Sequence, residues 1–171
     1  SENDGKKTWN IADSKLWYLT PEQAQAYLDL ENSQEYIEAV NQLQGEDLIT
    51  RNAGLILEDS DFGSVNVVDL GCGDGKKAAK LMGRLIEKVK VRYCPIDISG
   101  YMVQKAIETV SNLNVDEIIE FQYNISDFEN LENITPLLRK GEFKRNLFLL
   151  LGNTLGNFEI NELLYKVRSA M

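Results

Sequence analysis

The sequence predicts an α/β protein built on a doubly wound parallel sheet, with a helical segment in front of it. Short, nearly continuous apolar runs at Val65–Leu70 and Asn146–Leu151 suit strands buried on both faces. Amphipathic helical stripes lie between the runs, the alternation that a parallel sheet with crossover helices requires. The first run also passes through alternating glycines directly into a helix, at the strand end where open α/β sheets take their ligands.

The first sixty residues read as helices only. Thr20-Pro21-Glu22-Gln23 supplies an N-cap, a first-turn proline and a capping-box glutamine in order, so a helix is expected to begin near Pro21. Tyr36, Ile37, Val40 and Leu43 recur at helical spacing, as do Ile49, Ala53, Ile56 and Leu57, with Gly45 between the two stripes. At Asp61-Phe62-Gly63-Ser64 the pattern changes. We therefore expect residues 1–60 to be a helical segment packed on the core and residues 61–171 to hold the sheet, within one globular unit of 171 residues and 43% hydrophobic content.

Four strands are expected, Val65–Leu70, Val91–Ile96, Ile118–Asn124 and Asn146–Leu151, with the first and last central. Ala78, Met82, Leu85, Ile86 and Val89 form one inward stripe between them, and Met102, Val103, Ala106, Ile107 and Val110 another. Asp127 to Lys140 carries a further short helix or two, interrupted at Thr135-Pro136. Glu159 to Met171 is a last helix with Ile160, Leu163, Leu164 and Val167 inward.

Composition excludes much. The chain has no histidine, which removes Ser-His-Asp, Cys-His and HExxH chemistry from it. Cys72 and Cys94 lack CxxC spacing and read as reduced, buried thiols, and no metal site is expected. A formal charge of -9 with scattered cations disfavours nucleic acid. The longest apolar stretch, around Asn146–Leu151, is far short of the roughly 20 residues of a membrane span. Ser1 to Thr8 has neither the apolar run nor the cleavage site of a secretory signal, so a soluble cytoplasmic protein is expected.

The chemistry centres on Val67-Val68-Asp69-Leu70-Gly71-Cys72-Gly73-Asp74-Gly75-Lys76-Lys77. Without Cβ atoms, Gly71, Gly73 and Gly75 let the loop turn with positive φ and let a ligand touch main chain, while the following helix N-terminus offers N–H groups to a carboxylate. Dinucleotide loops usually read G-x-G-x-x-G, and here Lys76 stands where they need their third glycine. The second strand ends at Pro95-Ile96-Asp97, which puts a carboxylate able to accept both hydroxyls of a ribose at the neighbouring tip. Asp97 is also placed to cap the next helix, although Ser99 is the better cap. Asp69 has its own alternative, holding the glycine loop by accepting backbone N–H groups.

Asp69-Leu70-Gly71-Cys72-Gly73-Asp74-Gly75 resembles the acidic-x-Gly-x-Gly-x-Gly signature of class I S-adenosylmethionine (SAM) dependent methyltransferases, whose core is Rossmann-like. Phe148 to Phe158, with Gly152-Asn153-Thr154-Leu155-Gly156-Asn157-Phe158 at its centre, resembles a loop of the histidine-specific, ergothioneine-type branch. The resemblance implies a SAM site made by Asp69, Gly71, Cys72, Gly73, Gly75, Asp97, Ile98, Asp127, Phe128 and Gly152. In it Asp69 reaches toward the methionine amine, while Asp127 and a neighbouring N–H meet the adenine. It implies substrate contact at Asn157, which is equally placed to be a turn or N-cap residue, as Asp127 is to be an N-cap and Phe128 a core residue. The expected activity is methyl transfer to an amine or other nucleophile of a small molecule, an amino acid among the candidates, with no protein nucleophile nominated.

A complete class I sheet has seven strands and this sequence supplies four. The resemblance therefore implies either a shortened polypeptide or another chain completing the sheet, including a second copy joined through the edge of the fourth strand. Two other functions remain open at this level: a nicotinamide-dependent oxidoreductase, and a non-catalytic module that senses SAM or a nucleotide.

Overall fold

The computed structural model describes residues 2–3, 6–7, 17–44, 49, 53–55, 63–121, 124–125, 128–151 and 159–171. Helix α1 (Pro21–Glu31) starts where the capping box places it. The Thr20 hydroxyl accepts from Gln23 N at 3.3 Å, and Gln23 Oε1 accepts from Thr20 N at 3.2 Å. Helix α2 (Gln34–Gln44) follows. The amino-terminal stretch is not helical throughout, because Glu2–Asn3 pairs antiparallel with Lys6–Lys7.

Strands β1 (Ser64–Leu70), β2 (Lys90–Ile96), β3 (Glu117–Ile118) and β4 (Asn146–Leu149) form one parallel sheet in the order β3-β2-β1-β4. Helices α3 (Lys76–Leu85) and α4 (Gly100–Val110) follow β1 and β2, and α5 (Leu131–Leu138) and α6 (Ile160–Ala170) follow β3 and β4. Strand alternation divides the core by face. Val65, Val67, Val91 and Tyr93 pack with α3 and α4, together with Ile49 and Ala53 of the amino-terminal segment. Val68, Leu70, Cys94 and Ile96 pack with α5 and α6. The strand order reverses direction beside β1, so the helices cover both faces, as a doubly wound sheet requires.

Sequence and structure part company at four places. The third strand does not run from Ile118 to Asn124: its ladder covers Glu117–Ile118 and resumes only as an isolated Asp97–Ile125 bridge. Main-chain bonds from β2 to this side are made at Val91, Tyr93 and Asp97, and the intervening residue is Pro95, which has no N–H to give. Asn124 spans the break, its buried amide donating to the carbonyls of Pro95 and Ile119. Strand β1 is central as expected, but β4 stops at Leu149 and, like β3, is an edge strand among the described residues. Helix α5 runs through Pro136, whose missing bond would have gone to the carbonyl of exposed Glu132. In α6, Leu163 and Val167 point inward, whereas Ile160 and Leu164 are about half exposed (48% and 50%).

The ends of the strands away from the glycine loop are tied by buried polar groups. Arg92 donates to Glu117 at 2.7 Å and to the carbonyls of Leu138 and Lys140, with its guanidinium 4.0 Å from the centre of the Phe143 ring. Asn66 donates to the carbonyls of Leu138 and Phe143. These contacts leave the opposite, carboxyl-terminal strand ends free to carry the site.

Candidate functional site

Gly71, Gly73 and Gly75 all adopt the left-handed backbone conformation, with φ of 69°, 53° and 73°. The last two face different surroundings. A Cβ on Gly75 would lie 2.9 Å from the Cα of Ala106, so glycine is what allows α3 to begin against α4. A Cβ on Gly73 would meet none of the described residues within 4 Å, so they leave this part of the loop open. A loop bare at that point and flanked by a carboxylate suits a ligand that carries a ribose diol, as SAM does.

Most N–H groups of the loop have partners within the protein. Gly71 and Cys72 donate to the carbonyl of Ile96, Gly75 to that of Cys72, and Lys76 N to Asp74 Oδ1 at 3.1 Å. Gly73 donates to Asp97 Oδ2 at 3.2 Å. The positive end of α3 is reinforced instead by Lys76 and Lys77 in its first turn, a placement the helix dipole disfavours unless anions offset it. Asp74 pairs with Lys76 at 2.6 Å, and Glu31 at the end of α1 pairs with Lys77 at 2.9 Å.

Asp97 stands at the tip of β2. Its other oxygen, Oδ1, accepts from Ser99 N at 3.0 Å, and Ser99 rather than Asp97 caps α4, its hydroxyl accepting from Met102 N at 3.4 Å. Burial raises the Asp97 pKa, and the N–H groups of Ser99, Gly73 and Ile98 oppose that rise. With three N–H donors on about four acceptor positions, the carboxylate keeps room for a further donor.

Asp69, 2% exposed, takes no backbone N–H from the loop among the described residues, so it is Asp97 that ties the loop down. Its Oδ2 accepts instead from the Tyr93 hydroxyl at 2.8 Å. Burial pushes the Asp69 pKa up to about 7; the Tyr93 hydrogen bond and Lys77 lower it, while Asp97 raises it further. A carboxyl raised above its unfolded value of about 3.9 holds more protons folded than unfolded. Its stabilisation is therefore complete below about pH 4 and is lost as the pH climbs through about 7. We expect Asp69→Asn, followed by urea denaturation from pH 5 to 8, to remove that decline; an unchanged pH slope would show that Asp69 does not titrate there.

Of the sequence-derived site residues, Asp69, Gly71, Cys72, Gly73, Gly75, Asp97 and Ile98 come together at the ends of β1 and β2. Cys72 and Cys94 are free and buried, and burial raises both thiol pKa values, as inert thiols require. Phe128 opens a 3₁₀ turn (Phe128–Asn130) with its ring buried beside Leu131 and Ile134. Asp127, Gly152 and Asn157 lie outside the described residues. Tyr18 was not legible as a neighbour of this site. Its phenol pKa is raised by burial and then by the Asp97 carboxylate, and its ring packs edge-on against Tyr27 with centroids 5.3 Å apart. Helix α1 brings it there by seating Ala24 and Leu28 against Met102 of α4.

A β3-β2-β1-β4 parallel sheet with a glycine loop after β1 and a carboxylate at the tip of β2 defines a Rossmann-like core of the SAM-dependent methyltransferase class. The profile of the family described as histidine-specific, SAM-dependent methyltransferase matches residues 32–171, and the chain belongs to that family. The protein is thus an enzyme that uses SAM as its methyl donor. Neither a curated protein nor a solved structure gives a match.

Proposed function

We propose that the enzyme holds SAM across the carboxyl ends of β1 and β2 and methylates an amine of an amino acid, with histidine, named in the family's description, the first candidate. The observation that carries this reading is the meeting of Asp97, Asp69 and the open face of Gly73 at one end of the sheet. Asp97 receives the ribose hydroxyls, Asp69 the ammonium of the methionine portion, and the lysine-bearing start of α3 its carboxylate. Asp127 and the Phe128 N–H take the adenine, and the segment with Gly152 and Asn157 borders the methyl group and the substrate. SAM held there would supply a methyl group activated by its sulfonium. The chain's task is to orient the two partners and exclude water, and no protein nucleophile is needed.

Among the described residues no helix is long and apolar enough to cross a membrane. A small-molecule substrate, rather than nucleic acid, in a cytoplasmic setting accords with the -9 charge. The free side of β4 is the edge through which a second polypeptide, including another copy, would extend the sheet.

Thermal unfolding with SAM and with NAD tests the cofactor site. SAM at a hundred times its Kd is expected to stabilise by about 2.7 kcal/mol and NAD not at all. Mass spectrometry of free amino acids incubated with enzyme and SAM then reads the substrate, with methylated histidine expected. Stabilisation by NAD alone overturns the site, and a methylated product other than histidine replaces the substrate.

A further inference from the structure

Tyr93 is a fully buried tyrosine in the interior of β2, and its phenol has no part in the binding scheme above. It sits level with Val67 on β1, and its hydroxyl crosses to Asp69, one position pair nearer the site, donating to Oδ2 at 2.8 Å. A buried phenol needs a partner, and Tyr93 takes a carboxylate with almost no access to water. Among the described residues nothing donates to Oδ1 of Asp69. The carboxylate is therefore held from below by one oxygen, with the other left for what lies above.

We infer that Tyr93 is a positioning residue for the amino-acid end of the cofactor: by holding Oδ2 it turns Oδ1 of Asp69 toward the ammonium of SAM. The inference rests on the reading that Asp69 meets that ammonium. The groups around Asp69 agree with it. From β2 come Tyr93, Asp97 and the Cys94 thiol, from the loop the Cys72 thiol, and from α3 Lys77. Burial and Asp97 favour the protonated carboxyl, and only the Tyr93 hydroxyl and Lys77 favour the carboxylate. An α-ammonium loses its proton near pH 7.7–8.0 in about the reference case. The Tyr93 hydroxyl thus helps to set the acid side of that pairing.

The test is Tyr93→Phe, titrated with SAM and with methylthioadenosine, which keeps the adenosine and thioether but lacks the amino-acid portion. SAM affinity is expected to fall about tenfold, the scale of a hydrogen bond to a charged group, with methylthioadenosine binding unchanged. The acid limb of SAM binding is expected to move to higher pH, because a group that lowers the Asp69 pKa has been removed. Equal losses for both ligands with an unmoved acid limb would reduce Tyr93 to a packing role and overturn the inference. Asp69→Asn separates the two claims. If it leaves the preference for SAM over methylthioadenosine intact, the Asp69 reading itself fails; if it erases the preference and Tyr93→Phe does not, only the Tyr93 inference fails. Should the phenylalanine variant not fold, a ring-fluorinated tyrosine at position 93 strengthens the donor and is expected to move the acid limb to lower pH; a limb that stays in place overturns the inference equally.

Discussion

Gly75→Ala is expected to lower the unfolding free energy by about 3 kcal/mol, the sum of a left-handed backbone penalty of roughly 1–2 kcal/mol and an overpacking cost of similar size. Gly75 has φ of 73°, and a Cβ there would lie 2.9, 3.1 and 3.2 Å from the Cα, Cβ and carbonyl oxygen of Ala106. Two of these three atoms are backbone inside α4, so no rotamer change relieves the contact. For a chain of this size the loss corresponds to a Tm lower by roughly 6–12 °C, measurable by calorimetry. Gly73→Ala provides the contrast: its backbone is strained in the same sense, but its Cβ meets nothing, so its stability cost is expected to be smaller and its SAM affinity lower. Equal Tm values for wild type and Gly75→Ala would show that α3 and α4 are not packed as closely as described.

Asp97→Ala is expected to weaken SAM binding by about 1.5–3 kcal/mol, a factor of ten or more, because it removes charge-assisted acceptors from the ribose hydroxyls. Asp97 also holds Gly73 N and Ser99 N, so the alanine variant alone confounds contact with loop order. Asp97→Asn resolves this. Burial raises the pKa of the acid, which means that the charge is a cost to the ligand-free fold at neutral pH, and the amide retains one acceptor oxygen. Its NH2 faces one of the two N–H groups that the carboxylate accepted, so the asparagine variant is expected to lose less Tm without ligand than the alanine variant while binding SAM more weakly. Calorimetric titration at pH 7 reads the affinity; wild-type affinity in both variants would remove Asp97 from the cofactor site.

Much of the candidate site was legible because its residues are local in sequence. Alternating glycines between an apolar run and an amphipathic stripe specify a strand, a left-handed loop and a helix within eleven consecutive residues, Val67 to Lys77. Asp97 was legible for the same reason, as the acid closing the next strand. The break in the third strand was also written in the chain, as Pro95, but its effect falls on the neighbouring strand, where period and composition carry no trace of it. The position of β4 at the edge was illegible because an apolar run reports burial on two faces and not pairing on two sides. Tyr18 near Asp97 and the Tyr93 hydroxyl on Asp69 are contacts between distant segments, which no spacing rule reports.

Helix α4 touches every part of this arrangement. Thr109 donates to the Asp74 carbonyl at 2.7 Å, Ala106 carries Gly75, Met102 seats α1, and Ser99 caps the helix beside Asp97. From Ser99 to Thr109 it works as a strut of about 15 Å whose length is fixed by its turns. The loop and the carboxylate that faces it are thus mounted on one stiff beam and cannot drift apart independently. The hydrogen bond between Gly73 and Asp97 is thereby braced from behind, and it holds its length only while that beam does.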